Sequence, residues 1–324
     1  MSDYKFPAEW HSHQLTIMGF PPTKTWSGGG VKAIREECAC VANTLSEYEQ
    51  IMMLVCPEDE AIARKLLSAS INIQVTPIDD IWLRDTGPLT VMDVEGNRQA
   101  VGFQFDGWGG KCPHENDKTI KQALAQKLGL PYSGVNFVLE GGAICVDGEG
   151  TLITTEQCLL NKARNPDARK EGIESLLAET LGINKVIWLD NGLVPDEYTD
   201  GHVDGICSFA APGKVVLHTT DDKSDPNFII CQDAKRRLET ERDALGRQLE
   251  VIEVPLLAET LSHINFYIAN GCVLVPTSGR SEEDDAPLGI LREVLAPRKV
   301  IGIKSLKLAE GGGGIHCITM QVPQ

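Results

Sequence analysis

The feature that most constrains this chain is a structural unit that returns about every 50 residues, the period of a closed array of small repeats. Each unit opens with a helical pattern. VKAIREECACVANTLSEYEQ, DEAIARKLLSAS, KTIKQALAQKLGL, GIESLLAETLGI, AKRRLETERDALGRQ and LGILREVLA all place apolar residues three and four apart. A short β-rich segment follows: NIQVTPI, GVNFVLE, KVIWLD, QLEVIEV or KVIGIKS. Then comes a loop rich in glycine or charge, and one or two further strands. These later strands are LTVM, AICVD with TLITT, GICSF with VVLHT, NFYIANG with CVLVPT, and HCITMQV. The pattern predicts five helix–strand–loop–strand units, with the N-terminal strand LTIMGF joining the last and closing a ring. Helices in every unit argue against an all-β propeller. The absence of a Gly-rich strand-to-helix fingerprint argues against a doubly wound sheet. No low-complexity linker breaks the chain, so residues 1–324 read as one domain.

The residues at the equivalent loop of each unit are Asp85, Glu140, His202, Asn265 and Cys317, separated by 55, 62, 63 and 52 residues. A ring of five units brings these distant polar groups together near its axis. Their shared place in the repeat gives them a weight that none has alone.

Composition narrows the partners. A hydrophobic content of 42% and a charged content of 23% describe a water-soluble globular chain. No apolar run is long enough to span a bilayer. The start, MSDYKFPAEW, has no basic stretch leading into an apolar one, so the expected location is cytoplasmic. A formal charge of −16 disfavours nucleic acid and anionic membranes, and mildly favours a cationic ligand. The ten cysteines include no C-x-x-C pair. They therefore suggest neither a disulfide framework nor a zinc knuckle, and no cofactor is expected. Most sit among apolar neighbours as small core residues.

Four motifs carry chemistry. In Asp80-Ile81-Trp82-Leu83-Arg84-Asp85-Thr86-Gly87-Pro88 an indole offers an apolar wall, and a carboxylate can take two parallel N–H bonds from a guanidinium. The plainer alternative is an Arg84–Asp85 ion pair before a turn. Leu139-Glu140-Gly141-Gly142 sets an acid before two glycines that admit close neighbours. In Thr199-Asp200-Gly201-His202-Val203-Asp204-Gly205, His202 and Asp204 share one face if the segment is extended. Such a pair suits proton transfer and cation binding, or half a metal site. Gly311-Gly312-Gly313-Gly314-Ile315-His316-Cys317 places a thiol after a pliable loop, where it is either a nucleophile or a core cysteine.

WLRDTGP, FDGWGG (residues 105–110, including Trp108), LEGG with VDGEGTLITTEQCLLNKARNP, TDGHVD, INFYIAN and GGGGIHCITMQ resemble the agmatine deiminase and bacterial peptidylarginine deiminase family, in order and over nearly the whole chain. The resemblance implies the pentein fold, a five-bladed α/β propeller, and hydrolysis of a small cationic guanidino compound without metal or organic cofactor. It implies Cys317 as nucleophile and His202 as general acid/base. Glu140 matches the acid that orients the histidine, and Asp85 and Asp204 match the carboxylates that hold the guanidinium. Trp82 matches the aromatic wall, and Tyr198, Glu197, Trp108 and Gly313 fall in the segments expected around the substrate. A homodimer is expected on the same ground. The family usually carries Asp or Glu four residues before the histidine, where it helps bind the distal ammonium. Here that position is Tyr198, preceded by Asp196 and Glu197. Asp106 stands for a usual Asn, and His263 for a usual Tyr. Agmatine is the leading substrate. The alternatives are another ω-guanidino compound or peptidyl arginine, and an amidinotransferase on the same fold. A metal site of His202, Asp204, His316 and Cys317 conflicts with the expectation that His316 and Cys317, adjacent on a strand, face opposite ways.

Overall fold

The computed structural model describes residues 4–26, 30–257 and 261–324. The chain runs through β1 (His13–Gly19), α1 (Val31–Leu45), β2 (Ile51–Val55), α2 (Glu60–Leu66) and β3 (Asn72–Val75). It continues through α3 (Leu83–Thr86), β4 (Leu89–Met92), β5 (Arg98–Gln104), α4 (Gly107–Gly110), α5 (Asp117–Leu128) and β6 (Tyr132–Val138). The third unit is β7 (Ile144–Val146), β8 (Thr151–Thr155), α6 (Glu156–Leu159), α7 (Lys170–Leu181) and β9 (Lys185–Leu189). The fourth is β10 (Cys207–Ala211), β11 (Lys214–Thr219), α8 (Asn227–Thr240) and β12 (Glu250–Pro255). The fifth is β13 (Tyr267–Ile268), β14 (Cys272–Thr277), α9 (Ser281–Val294) and β15 (Lys299–Lys304), after which α10 (Leu306–Glu310) leads to β16 (Thr319–Pro323).

Five small sheets result, ordered β16-β1-β2-β3, β4-β5-β6, β7-β8-β9, β10-β11-β12 and β13-β14-β15. All share one plan. The first strand pairs antiparallel with the second, and a helix carries the chain over to a parallel third, as in β4–β5 and β5–β6. The ring closes as the sequence pattern predicts. β1 pairs antiparallel with β16, Leu15 opposite Val322 and Ile17 opposite Met320.

The elements follow from their patterning. Helix α7 buries Ile173, Leu177 and Leu181, one stripe at four-residue spacing. The middle strands β8 and β14 are buried at every residue, because they are covered on both faces. Among the described residues no helix is long and apolar enough to cross a membrane.

Several boundaries differ from the sequence reading. IMMLV and RQAVGFQ are strands β2 and β5, which the reading did not separate from their surroundings. Helix α9 begins at Ser281, seven residues before LGILREVLA. Its first turn holds Glu282, Glu283 and Asp284, which favour a helix N-terminus but carry no apolar period. Helix α8 ends at Thr240, so the DALGRQ part of the expected helix is a turn. There Asp243 accepts the backbone N–H groups of Leu245 and Arg247, a local bond that competes with helix.

Candidate active site

The segment entering the first strand of each sheet carries the polar residue that the repeat singled out, and these segments are bonded around a common centre. The Gly142 N–H donates to Asp85 Oδ1 at 2.9 Å. A ring nitrogen of His202, a carboxylate oxygen of Glu140 and the Cys158 sulfur lie within 4.8 Å of one another. Asn265 Nδ2 donates to the Asp204 carbonyl at 3.2 Å and sits 3.3 Å from Cys317 Sγ. The Arg84 N–H closes the circle, donating to the Cys317 carbonyl at 3.1 Å.

Two glycine features make this approach possible. A Cβ on Gly142 would lie 2.6 Å from His202 Nδ1 and 3.0 Å from both Asp204 Oδ2 and Asp85 Oδ1. The glycine is thus the floor on which three functional groups meet. In the run 311–314, Gly311 abuts Trp26, Gly312 abuts Tyr198, Gly313 abuts Trp82 and Gly314 abuts Asn265. Side chains there would drive the loop off the site.

A cavity of about 380 Å³ opens onto the centre. Its lining includes His202, Asp204, Asn265, Cys317, Gly313, Glu197 and Tyr198. Asp85, Glu140, Trp82 and Trp108 are not in the lining and lie behind it. Trp82 is buried against the Gly313 backbone. Trp108 donates its indole N–H to Asp85 Oδ2 at 2.9 Å. It does so from a left-handed backbone, φ 58°, within the FDGWGG turn.

Asp85 also lies 3.9 Å from His202 Nδ1. Its carbonyl accepts from the buried Lys121 ammonium at 2.8 Å. Burial pushes Lys121 down to about 8, against the pull of Asp85, Glu140 and Asp117. Arg84 does not pair with Asp85. It turns away to Glu9 Oε2 at 3.0 Å and Gln321 Oε1 at 2.8 Å.

Glu140 is fully buried, and one oxygen accepts from Arg164 Nε at 2.7 Å. Its other oxygen, and Nε2 of His202, have no hydrogen-bond partner among the described residues. Burial raises the Glu140 carboxyl, although His202 and Arg164 pull it down. Around Asp204 the balance goes the other way. Burial disfavours its charge, but the His316 hydrogen bond and the charges of His316, His202 and Arg84 hold it below the ordinary carboxylate range. Cys317 Sγ is 3.6 Å from Asp204 Oδ2. Burial first, then the Asp204 and Asp85 charges, hold its thiol well above the usual value, against the Gly314 N–H and Asn265.

Two local expectations are corrected. His202 and Asp204 are not on a strand, because Val203–Gly205 is a 3₁₀ turn. The turn still brings both to the cavity. His316 and Cys317 precede β16 in a turn as well, so they do not face opposite ways. His316 Nδ1 lies 2.8 Å from Asp204 Oδ2, the same oxygen that Cys317 approaches. As for metals, Glu140, Cys158 and His202 form one compact donor group, but the Arg164 cation already neutralises Glu140.

The sequence reading did not find the site roles of Gly142, Arg164, Lys121 and Glu9. The double glycine after Glu140 was a usable signal for the first. Nothing in the spacing marked Glu9, which reaches the centre from the N-terminal segment.

Fold and site together define a class: an α/β ring of five small sheets with a thiol, an imidazole and carboxylates at its centre, suited to a planar cation. The profile of the Porphyromonas-type peptidyl-arginine deiminase family matches residues 5–323, and the chain belongs to that family. It is 38% identical to the agmatine deiminase of Stutzerimonas stutzeri, over 99% of this chain and 95% of that one. It is 39% identical to that of Ectopseudomonas mendocina, with the same coverage. Among solved structures it resembles the agmatine deiminase of Enterococcus faecalis with a TM-score of 0.95 at 32% identity, covering 99% and 96% of the two chains.

Proposed function

We propose that this protein hydrolyses agmatine to N-carbamoylputrescine and ammonia through a covalent intermediate on Cys317. The observation that carries the reading is the convergence of Cys317, His202 and Asp204 on one cavity, with Asp85 bonded behind it through Gly142 and Trp108. The full-length likeness to agmatine deiminases supports the substrate.

A guanidinium is planar, cationic and a poor electrophile. Asp204 in the cavity wall and Asp85 just behind it, whose oxygens each keep a lone pair beyond the Gly142 and Trp108 bonds, take its N–H groups and set the central carbon beside the sulfur, which is catalysis by orientation and fixed charge. Before binding, the thiol is held neutral by burial and two anions. The bound cation offsets those anions and favours the thiolate, whose proton passes to His202. The thiolate adds to the guanidinium carbon, and the tetrahedral adduct expels one nitrogen as ammonia with the proton from His202. Water then adds to the S-alkylthiouronium with His202 as base. Collapse breaks the C–S bond, frees Cys317 and leaves the ureido product. Glu140, with one oxygen held by Arg164 and the other free to face the imidazole, stabilises His202 when it is protonated.

The mouth suits a cationic tail. Besides Asp204, three acidic side chains line the cavity: Asp196 is bonded by Tyr198, Thr199 and Gly201, and Glu310 by Lys307. Glu197 is exposed and has no such bond. The test is a panel of agmatine, arginine, guanidinobutyrate and a C-terminal arginyl peptide, assayed for ammonia and ureido product. Agmatine is expected to give the highest kcat/KM, and Cys317→Ala none. Turnover retained in Cys317→Ala refutes the nucleophile. Amidine transferred to an added amine in place of hydrolysis refutes the reaction.

A further inference from the structure

The imidazole next to the nucleophile has a carboxylate oxygen within 3.0 Å of each ring nitrogen. His316 Nδ1 lies 2.8 Å from Asp204 Oδ2, and Nε2 lies 3.0 Å from Glu9 Oε2. An ionised carboxylate only accepts hydrogen bonds. A neutral imidazole has one N–H and one lone pair, so it can satisfy one of the two. Two carboxylates, one on each nitrogen, require both N–H groups.

The surroundings keep this charge in place. Glu9 Oε1 accepts the Ile268 N–H at 2.7 Å, and Oε2 also accepts from Arg84 at 3.0 Å. Arg84 is anchored in turn by Gln321, packs over the Tyr267 ring at 5.9 Å and reaches the His316 carbonyl at 3.4 Å. The groups facing His316 are therefore Glu9 from the N-terminal segment, Arg84 from α3, Asp204 from the 3₁₀ turn, and the neighbouring Cys317. Two anions and one cation around the ring leave room for one more positive charge. Burial and Arg84 oppose the imidazolium, while Glu9 and Asp204 outweigh them, and its acidity falls accordingly. On the far side Asp204 faces the cavity.

We propose that His316 is a positioning residue for the guanidinium site, an imidazolium wedged between Glu9 and Asp204 that keeps the Asp204 carboxylate ionised and aimed at the substrate. This rests on the reading that Asp204 grips the guanidinium. No other side-chain nitrogen among the described residues donates a hydrogen bond to the Asp204 carboxylate. Without His316, a carboxylate buried beside Asp85 and under a thiol would take up a proton or turn away. Glu9 then has a function at a distance. It never touches the cavity, yet it fixes the ring that fixes Asp204.

The test has two parts. ¹⁵N-histidine spectra of the substrate-free wild type, with His316 assigned by its loss in His316→Gln, are expected to show both ring nitrogens protonated near neutral pH. Kinetically, His316→Gln is expected to raise KM by about tenfold with a smaller fall in kcat, and Glu9→Gln to move KM the same way from outside the cavity. His316→Ala is expected to be worse than His316→Gln, whose amide restores one donor. A neutral His316 ring in the wild type, or KM within about twofold of wild type in both Gln variants, overturns the proposal. Failure of the underlying reading shows elsewhere, as an unchanged KM in Asp204→Asn.

Discussion

Gly142 stands so close to His202 that a methyl group on it would fall 2.6 Å from the imidazole Nδ1, inside van der Waals contact. The same methyl would press on Asp85 and Asp204, each 3.0 Å away. Gly142→Ala therefore pushes three functional groups apart at once. Its backbone φ is not left-handed, so alanine adds no backbone strain there and the cost lies in the crowded side chains. The expected outcome is a folded protein destabilised by about 1–3 kcal/mol, with a kcat/KM lower by about a hundredfold. Activity within a few-fold of wild type would remove these three groups from the chemistry.

The resting state of Cys317 gives a second prediction. Its thiol is raised by burial and by Asp204 and Asp85, so near neutral pH it is protonated and slow to alkylate. Reactivity grows only as pH climbs past the ordinary thiol range. Asp204→Asn removes the nearer anion, 3.6 Å from the sulfur, and so lowers the thiol. Iodoacetamide labelling of the Cys317 peptide, followed by mass spectrometry in mildly alkaline buffer, should be about tenfold faster in this variant. Turnover should nonetheless fall. Labelling slowed or unchanged by the substitution would mean that Asp204 does not control the thiol.

How much of this was legible in advance depends on what each residue needs from its neighbours. Asp85, Glu140, His202, Asn265 and Cys317 recur at one place in a repeat, so their meeting follows from ring closure alone. The pairing of β1 with β16 follows from the same repeat. The turns around them do not. Period-two reasoning put His202 and Asp204 on a strand and set His316 against Cys317, but glycine-rich segments before β10 and β16 turn instead. Neither turn has an apolar alternation to reveal it. Arg164 and Glu9 act across long gaps in sequence, 24 residues to Glu140 and 307 to His316. Only the folded backbone sets those pairs.

The rim of the cavity predicts which substrates lose most when its charge is altered. Glu197 is the lining acid without a hydrogen-bond partner among the described residues, and Tyr198 beside it is exposed over Gly312. Glu197→Gln should raise KM for agmatine several-fold, leave kcat intact, and spare a guanidine with an uncharged tail. An exposed charge is screened, so the difference should shrink in high salt. Tyr198→Glu should lower KM for agmatine relative to the uncharged analogue. Equal effects on both substrates would place the tail elsewhere.

Arg164 ties the acid behind His202 to the rim. Its Nε holds Glu140 at 2.7 Å, Nη1 holds Asp200 at 2.7 Å, and Nη2 holds the Thr199 carbonyl at 2.8 Å. Arg164→Ala leaves a fully buried carboxyl without its cation, a change that typically costs about 3–5 kcal/mol. Burial holds the Glu140 carboxyl above its ordinary value in the fold, although His202 and Arg164 pull it down. A carboxyl raised in the folded state contributes stability below its unfolded value and loses it as pH rises through the folded one. Removing Arg164 raises Glu140 further, so the variant should lose stability more steeply than wild type as pH rises from mildly acidic to neutral. Adding Glu140→Gln removes the charge that needs a partner, and the double variant should regain part of the loss and the flatter profile. Urea denaturation across that range, read as a double-mutant cycle, measures the coupling. Additive effects with no change in pH dependence would show that the 2.7 Å contact carries no energetic link between the two residues.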